Sequence, residues 1–204
     1  MTASAPRARG TLKAVSPSDH VVGGKYRLVR PIGEGAMGVV YEATHLVTER
    51  AVALKLLSEE AADEEGRLRI LREARACGRI RHPNVIEILD AGQTERGLPY
   101  LAMELLRGES LESRLDRTGA LPVGEVVAIT RGIADALAAA HAAGIVHRDL
   151  KPENIFLHWE RADQEAPIVK VLDFGISKIV HGEEISATRT GRALGSPAYM
   201  SPEQ

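Results

Sequence analysis

Three closely spaced glycines, Gly33, Gly35 and Gly38, constrain the fold of this chain more than any other feature. Because glycine has no Cβ, such a run lets the backbone approach a polyphosphate closely. Residues 39–41 (VVY) follow at once and are typical of a strand. A Rossmann oxidoreductase needs a helix at that point, so the pattern argues against it and favours a strand–glycine loop–strand hairpin. Taken alone, the run is equally consistent with an ordinary Gly-rich turn.

Short apolar runs rich in Val, Leu and Ile continue from Lys25 onward, each bounded by Gly, Pro or charged residues. Such punctuation predicts β-strands. Between the third and fourth runs, residues 59–80 are acidic at the start and basic towards the end, the charge order that favours a helix. The five predicted strands are 26–32, 39–44, 52–57, 85–91 and 100–105.

The second half of the chain is predicted to be mainly helical, with a short helix at 111–117 and a longer one at 122–143. Pro122 near the start and Gly144 just past the end support the longer helix. Two short strands, 155–157 and 169–172, predict a small hairpin. Apolar residues recur every three or four positions on the long helix and predict a face packed on the core: Val126, Ile129, Ile133, Leu137 and Ala140.

Lys55 follows the apolar residues 52–54 (VAL) in the third predicted strand. Its ammonium group can meet phosphate oxygens as a point charge. A solvated strand lysine produces the same pattern, so Lys55 alone does not decide between the two interpretations.

The run HRDLKPEN at residues 147–154 carries the strongest chemical signal. It matches in full the catalytic-loop motif of protein kinases, and the chain is therefore similar to that family. The resemblance implies that Asp149 accepts the proton of a substrate hydroxyl and that Lys151 neutralises charge on the moving phosphoryl group. It also implies that Asn154 offers an oxygen to magnesium.

Asp173 opens the tripeptide DFG directly after a predicted strand. Its carboxylate suits a magnesium ion that bridges ATP phosphates. The tripeptide alone means little, but all four motifs stand in the order of the kinase family. The resemblance covers residues 25–204, and within the family the chain looks most like the eukaryotic-type Ser/Thr kinases of bacteria. Lys151 is the Ser/Thr-kinase form of the loop.

The resemblance implies an α+β, protein-kinase-like fold with a five-stranded antiparallel N-lobe, one N-lobe helix and a partial, mainly helical C-lobe. The expected boundaries are a flexible leader at 1–24, the N-lobe at 25–105 and the partial C-lobe at 106–204, ending in the activation segment. We expect the chain to stop inside the motif that closes this segment. Apolar surface on the long helix should then be exposed.

A set of nucleotide contacts is also implied by the resemblance, and Glu73 on the first predicted helix would hold Lys55 in place. Ile32 and the loop glycines Gly33, Gly35 and Gly38 belong to the same set. The adenine is expected to meet the gatekeeper Met103, the main chain of Glu104 and Leu106, and the enclosing side chains Val40, Ala53 and Phe156.

Two threonines of the expected activation segment, Thr188 and Thr190, resemble the paired threonines of the bacterial kinases. Because Arg148 precedes the catalytic aspartate, a phosphate on this segment could pair with it and order the loop. We therefore predict autophosphorylation at both threonines, with a homodimer as one route. Solvated loop threonines are the alternative.

Two features near the site are interpreted as structural. Cys77 falls where the family stacks an apolar residue against Phe174 and His147, and is predicted to pack there. Residues 158–168 make the predicted hairpin longer than the family pattern, which indicates a surface insertion to which no function is assigned.

Composition argues against several other classes of protein. A net charge of −2 and an aromatic content of 3% give no basis for nucleic-acid binding. The single cysteine can form no internal disulfide, and no apolar run is long enough to span a bilayer. We therefore expect a cytoplasmic protein with no nucleic-acid partner and no membrane segment in this chain.

The leading hypothesis is a Ser/Thr protein kinase that transfers the γ-phosphoryl group of ATP to Ser or Thr hydroxyls of a protein substrate, with ATP and Mg²⁺ as cofactors. The alternative is a nucleotide- or partner-binding module that lacks transfer activity because the C-lobe is incomplete. The presence of Lys55, Asp149 and Asp173 favours the first hypothesis.

Overall fold

The computed structural model describes residues 21–35, 38–57, 70–71, 74–161, 163–174 and 199. Residues 70–71 and 74–77 are helical. The other elements within the described part are β1 Val21–Val22, β2 Tyr26–Gly35, β3 Gly38–His45, β4 Ala51–Leu57, β5 Ile88–Gln93, β6 Pro99–Glu104, β7 Gly108–Ser110, α1 Leu111–Thr118, α2 Val123–Ala142, a 3-10 helix Pro152–Asn154, β8 Ile155–His158 and β9 Ile168–Val171.

The first six strands form one antiparallel sheet in the order β1-β2-β3-β4-β6-β5. All five predicted strands are present in it, and β1 is a sixth that the sequence did not predict. It lies inside the expected leader 1–24, where Val22 is buried and pairs with Tyr26. Two residues are too few to show a strand period in a sequence, so only the pairing with β2 identifies this strand.

The central strand β4 is buried on both faces, which fixes it firmly in the sheet. Val52 and Leu54 point into a core that also contains Tyr41 and Tyr100. Because successive side chains of a strand alternate between faces, Lys55 points to the opposite side from Leu54. The core on one face therefore determines which residues face the other.

A second, three-stranded sheet has the order β7-β8-β9, and α2 packs on β9. The approach is close at Gly132, where an added Cβ would stand 2.8 Å from the Cβ of Val169. The predicted apolar face of α2 is buried at Ile129 and Ala140, but the prediction for Val126 is wrong, since this residue is 45% exposed. The described packing surface meets the helix only from Ile129 onward, which leaves its first turns outside.

Short helices and turns of the second half are set by local hydrogen bonds. Ser110 caps α1 by accepting a hydrogen bond at its Oγ from the Ser113 N–H, 3.1 Å away. Gly119 ends the helix with a φ of +71°. Neither described α-helix combines the length and apolarity that a bilayer crossing requires.

One apolar cluster joins the two sheets, and it includes Cys77, Val85, Ile129, Val171 and Phe174. The main chain makes the same connection, because the N–H of Ile86 donates to the carbonyl oxygen of Val171 at 3.0 Å. Apolar packing and a main-chain hydrogen bond thus connect the two halves of the described structure.

Candidate active site

Lys55 projects from the buried strand β4 and is only 8% exposed. Its Nζ lies 2.8 Å and 2.7 Å from the two carboxylate oxygens of Asp173, which is 118 residues further along the chain. Burial raises the pKa of Asp173, but the nearby Lys55 ammonium outweighs it and holds that pKa below its usual value. Asp173 is therefore a carboxylate at neutral pH.

Strand register gathers several expected nucleotide contacts on the face of the sheet that carries Lys55. Val40 on β3 lies directly opposite Lys55, and Met103 on β6 lies opposite Ala53. Residues directly opposite in antiparallel strands, and residues two apart on one strand, share a face. Val40, Ala53, Lys55 and Met103 consequently form one surface.

The three glycines of the hairpin differ in what requires them. Gly38 has a φ of +145°, and a Cβ there would run into the carbonyl oxygen of Leu56, so the fold itself demands glycine. At Gly35, by contrast, a Cβ would meet nothing within 4 Å among the described residues. Packing therefore does not account for Gly35, and its open backbone is free for a ligand.

Residues 147–154 form an irregular loop that polar contacts hold in place. The His147 ring hydrogen-bonds the carbonyl oxygen of Leu172 at 2.8 Å. Burial lowers the pKa of His147, with this bond acting in the opposite direction. Arg148 and Asp173 adopt positive φ values of 64° and 53°, which is uncommon for residues with side chains and often marks functional sites.

Asn154 links the two aspartates of the site and is itself 8% exposed. Its Nδ2 donates to the carbonyl oxygen of Asp149 at 2.8 Å and to Asp149 Oδ2 at 3.1 Å. The main-chain carbonyl oxygen of Asn154 accepts a hydrogen bond at 2.9 Å from the N–H of Leu172, the residue directly before Asp173. Asn154 therefore fixes both chain segments relative to each other.

Lys151 stands beside the same carboxylate. Its Nζ is 3.6 Å from Asp149 Oδ2 and 2.7 Å from Glu153 Oε2. Burial lowers the pKa of Lys151, but its carboxylate partners outweigh that effect and the pKa is raised. A permanent positive charge thus lies next to the predicted proton acceptor.

The predicted packing of Cys77 is confirmed. Its Sγ lies 3.4 Å from the carbonyl oxygen of Phe174, and the rings of Phe174 and His147 are 4.8 Å apart. This contact joins the helical residues 74–77 to the chain that carries Asp173.

Glu104 occupies the end of β6 with most of its polar atoms already engaged. Its N–H donates to the carbonyl oxygen of Glu87 at 3.0 Å, and its Oε1 accepts from Lys170 Nζ at 2.6 Å. Sequence reasoning missed Lys170, although a lysine inside the apolar strand β9 repeats the pattern of Lys55. Of the main-chain groups of Glu104, only the carbonyl oxygen is left to accept a hydrogen bond from a nucleobase.

Leu106, two residues further on, shows a different situation. Its main chain forms no hydrogen bond with any other residue that the structure describes. A partly buried N–H and C=O left in this way are ready to bind a ligand.

The structure thus connects Lys55 with Asp173 directly and Asn154 with Asp149 directly, and the Leu172 main chain joins the two pairs. Phe156 lies on β8, opposite Lys170, and Ile32 lies on β2 and is 40% exposed. The part of the chain that the structure describes contains no cluster of three or more His, Cys, Asp or Glu side chains suited to a metal. Three expected residues, Glu73, Thr188 and Thr190, lie outside the described residues.

Comparison with known proteins gives a consistent result. The family model for the protein kinase domain matches residues 26–204. The chain is 46% identical over 183 residues to the serine/threonine-protein kinase pkn3 of Myxococcus xanthus, and 46% identical over 182 residues to the serine/threonine-protein kinase PknE of Mycobacterium tuberculosis. These alignments cover 88% and 89% of this chain.

Among solved structures, the PknI kinase domain of Mycobacterium tuberculosis superposes with a TM-score of 0.67 at 37% identity, covering 80% of this chain and 63% of that domain. The chain spans about a third of the length of the two curated relatives, 33% and 31%. The similarity therefore concerns only the part of each relative that aligns with this chain.

Proposed function

The chain belongs to the protein kinase family, and we propose that it supplies the nucleotide-binding and catalytic part of a serine/threonine protein kinase. In this proposal the γ-phosphoryl group of ATP, bound with Mg²⁺, passes to Ser or Thr hydroxyls of a protein substrate. The observation that carries it is the bidentate contact of Lys55 with Asp173, joined through Leu172 and Asn154 to Asp149.

Adenine binding is supported by the surface that ends at Met103. Val40 and Ala53 lie on the same face of the sheet as the gatekeeper position, and Phe156 lies on β8 of the second sheet. The unbonded main chain of Leu106 offers a donor and an acceptor, as an adenine edge requires. We assign the roof of the adenine pocket to Val40 and Ala53, its floor to Phe156 and its edge to the main chain of Leu106.

Phosphate binding is assigned to the hairpin glycines and Lys55. An added Cβ would meet nothing within 4 Å at Gly35 among the described residues, and at Gly33 it would meet Val40 Cβ at 3.9 Å, so phosphate oxygens could approach the backbone there. Lys55, freed from one of the two Asp173 oxygens, would pair with the phosphates as a fixed charge. Ile32 lies directly before the glycines and would cover the nucleotide from above.

Asn154 and Asp173 are the residues suited to hold the magnesium ion. The amide nitrogen of Asn154 is occupied by Asp149, which leaves its Oδ1 as an acceptor, and Asp173 is ionised. Oxygen ligands of this kind fit Mg²⁺. When bound, the ion would supply positive charge beside the phosphates.

Transfer itself depends mainly on positioning and charge, because the transition state spreads negative charge over the phosphoryl oxygens. Asp149 is held by Asn154 so that its carboxylate can take the proton of the substrate hydroxyl. Lys151, next to Asp149, neutralises the developing charge. These two residues are the proposed catalytic pair.

Regulation, domain limits and cellular setting complete the proposal. We assign residues 25–105, together with β1, to the N-lobe and 106–204 to part of the C-lobe. Thr188 and Thr190 are the proposed autophosphorylation sites, whose phosphates would pair with Arg148. Autophosphorylation between two copies, in the cytoplasm, is the arrangement that the sequence favours. Mass spectrometry after incubation with ATP and Mg²⁺ tests the sites, and phosphate absent from both threonines rejects them.

The test of the main proposal is transfer of label from γ-labelled ATP to a generic Ser/Thr substrate, comparing the protein with an Asp149→Asn variant. Removing a general base lowers rates by about 10² to 10⁴, so we expect the variant to lose at least about 99% of the transfer rate. Nucleotide binding without transfer by the unmodified protein would contradict the proposal and favour a binding module.

A further inference from the structure

His158 and Trp159 begin the insertion 158–168, whose role the sequence leaves open. His158 is the last residue of β8 and is only 7% exposed. Trp159 is partly buried and packs against the apolar cluster that joins the two sheets. The start of the insertion is therefore part of the folded body, and its buried polar ring needs a partner.

Both residues contact the main chain of Arg107. The N–H of Arg107 lies 3.0 Å from His158 Nδ1, and the carbonyl oxygen of Arg107 accepts a hydrogen bond from the N–H of Trp159 at 2.9 Å. The same Nδ1 is 3.1 Å from that carbonyl oxygen, but one nitrogen cannot accept and donate at once. Because Trp159 already satisfies the oxygen, the consistent assignment has Nδ1 accepting from Arg107.

Arg107 directly follows Leu106, the residue whose main chain is left for the base. On its other side, β7 pairs with β8, with Gly108 opposite His158 and Ser110 opposite Phe156. The edge of the proposed base pocket and its floor therefore meet on this short ladder.

Gly108 shows how closely the two segments approach. It has a φ of +142°, and a Cβ there would run into the carbonyl oxygen of Leu157 and stand 2.9 Å from Trp159 Cε3. The segment after Leu106 thus lies flat against the start of the insertion, with no room for a side chain between them.

Hydrogen bonds connect residues within the outer part of the insertion. The N–H of Glu160 donates to Gln164 Oε1 at 3.1 Å, and Gln164 Nε2 donates to the carbonyl oxygen of Ala166 at 2.6 Å. This local bonding gives His158 and Trp159 a fixed base on which to hold Arg107.

We propose that His158 is a positioning residue for the adenine-binding segment. By accepting the hydrogen bond of the Arg107 N–H, while Trp159 donates to the Arg107 carbonyl oxygen, it sets the position of the neighbouring Leu106 main chain. The inference rests on the proposed function, because it assumes that the base binds at Leu106. It gives the insertion a role in nucleotide affinity rather than in phosphoryl transfer.

Loss of the His158 acceptor should weaken binding of the adenine and not of the phosphates. Removing the acceptor leaves the Arg107 N–H without its partner and lets the segment shift, which weakens hydrogen bonds to adenine. In the proposed function the phosphates bind at the glycine hairpin and Lys55, which belong to the other sheet. The KM for ATP should therefore rise with little change in kcat, the pattern of lost binding that is uniform between ground and transition states.

The experiment measures inhibition of phosphoryl transfer in the full-length protein by two probes, adenosine and inorganic tripolyphosphate. For His158→Ala we expect the inhibition constant of adenosine to rise about tenfold, the size of one lost hydrogen bond, and that of tripolyphosphate to stay unchanged. His158→Asn, whose Oδ1 stands near the place of Nδ1, should restore adenosine binding. His158→Gln, which keeps a polar side chain but moves its acceptor, should not.

His141 on the exposed side of α2 provides the matched control, and His141→Ala should leave both inhibition constants unchanged. Equal losses for adenosine and tripolyphosphate in His158→Ala and His158→Gln would mean that the residue acts only on the fold, and this would overturn the inference. Unchanged adenosine binding in both variants would do so as well. Failure of adenosine to inhibit the unmodified protein would instead count against the proposed function.

Discussion

Lys55 and Asp173 meet in one ion pair, yet the two sides of the site are built in different ways. The Lys55 side belongs to a regular sheet, where strand register and a buried core decide the place of each side chain. The Asp173 side is a set of irregular segments held by hydrogen bonds among Asn154, Asp149 and Leu172. A substitution on the sheet side should therefore lower stability before it lowers activity. A substitution on the loop side should lower activity at a small cost in stability.

On the sheet side, many packing contacts hold Lys55 in position. Lys55 is flanked by Val40 and Leu101 on neighbouring strands, and Leu54 beside it is fully buried. Many small contacts share the task of positioning, so the loss of one weakens the whole sheet before it moves the lysine.

The loop side depends on few contacts. Two residues, Asn154 and His147, connect Asp149 with Leu172, the residue before Asp173. Arg148 and Asp173 adopt positive φ values that need support from their surroundings. A single substitution here should displace charged groups without unfolding the protein.

The largest effect is expected for Asn154→Ala. The change removes both hydrogen bonds to Asp149 and the proposed magnesium ligand, so we expect kcat to fall at least about a hundredfold. Unfolding free energy should fall by only about 1–3 kcal/mol, as for other lost buried hydrogen bonds. Steady-state kinetics and urea unfolding of the same preparation measure the two quantities.

Asn84 offers a matched control for that variant, since its Nδ2 donates to the carbonyl oxygen of Val169 at 2.8 Å, away from the aspartates. Asn84→Ala should cost similar stability and leave kcat near that of the unmodified protein. Equal loss of activity in both variants would remove the distinction between the two regions.

Leu54→Ala should show the opposite pattern on the sheet side. Leu54 is 0% exposed, and truncating a buried leucine costs about 2–5 kcal/mol of unfolding free energy. Turnover per folded molecule should be retained, because the register that places Lys55 is unchanged. Val47→Ala at a site 85% exposed is the control, with no measurable change expected in either quantity.

A smaller effect is expected from pH on the loop side. Burial lowers the pKa of His147 in the folded state, so the ring stays neutral while the unfolded chain takes up a proton below about pH 6.5. This contribution to stability is present above that pH and is lost as the pH falls towards the folded-state pKa. His147→Gln should lose less stability than the unmodified protein between pH 7.5 and 5.5 in urea unfolding, and parallel pH curves would contradict the account.

Much of the sheet could be predicted from the sequence because its signals are local. Short apolar runs bounded by Gly, Pro or charged residues predicted the five long strands, and the β-branched residues after Gly38 indicated the hairpin. The two-residue β1 and three-residue β7 are too short to form such a run, and pairing with a longer strand identifies each of them. Val126 was misplaced because helix periodicity shows which residues share a face, not how far the packing partner extends.

The candidate site divides in the same way. Family motifs gave Lys55, Asp149, Asn154 and Asp173, but periodicity alone could not have joined a lysine to an aspartate 118 residues away. His158 carried no signal, since its contact with Arg107 arises from the fold of a segment without a motif. Polar contacts between distant segments are the part of this molecule that only the structure supplies.

The central claim is that Lys55, Asp173, Asn154 and Asp149 surround a single metal-bound triphosphate. Calorimetric titration of ATP into the protein, with Mg²⁺ and with a chelator, tests it most directly when repeated with Asp173→Asn. We predict that Mg²⁺ strengthens binding about tenfold in the unmodified protein, or about 1.4 kcal/mol, and that the variant loses this gain but still binds ATP. An equal gain from Mg²⁺ in both proteins would contradict the account.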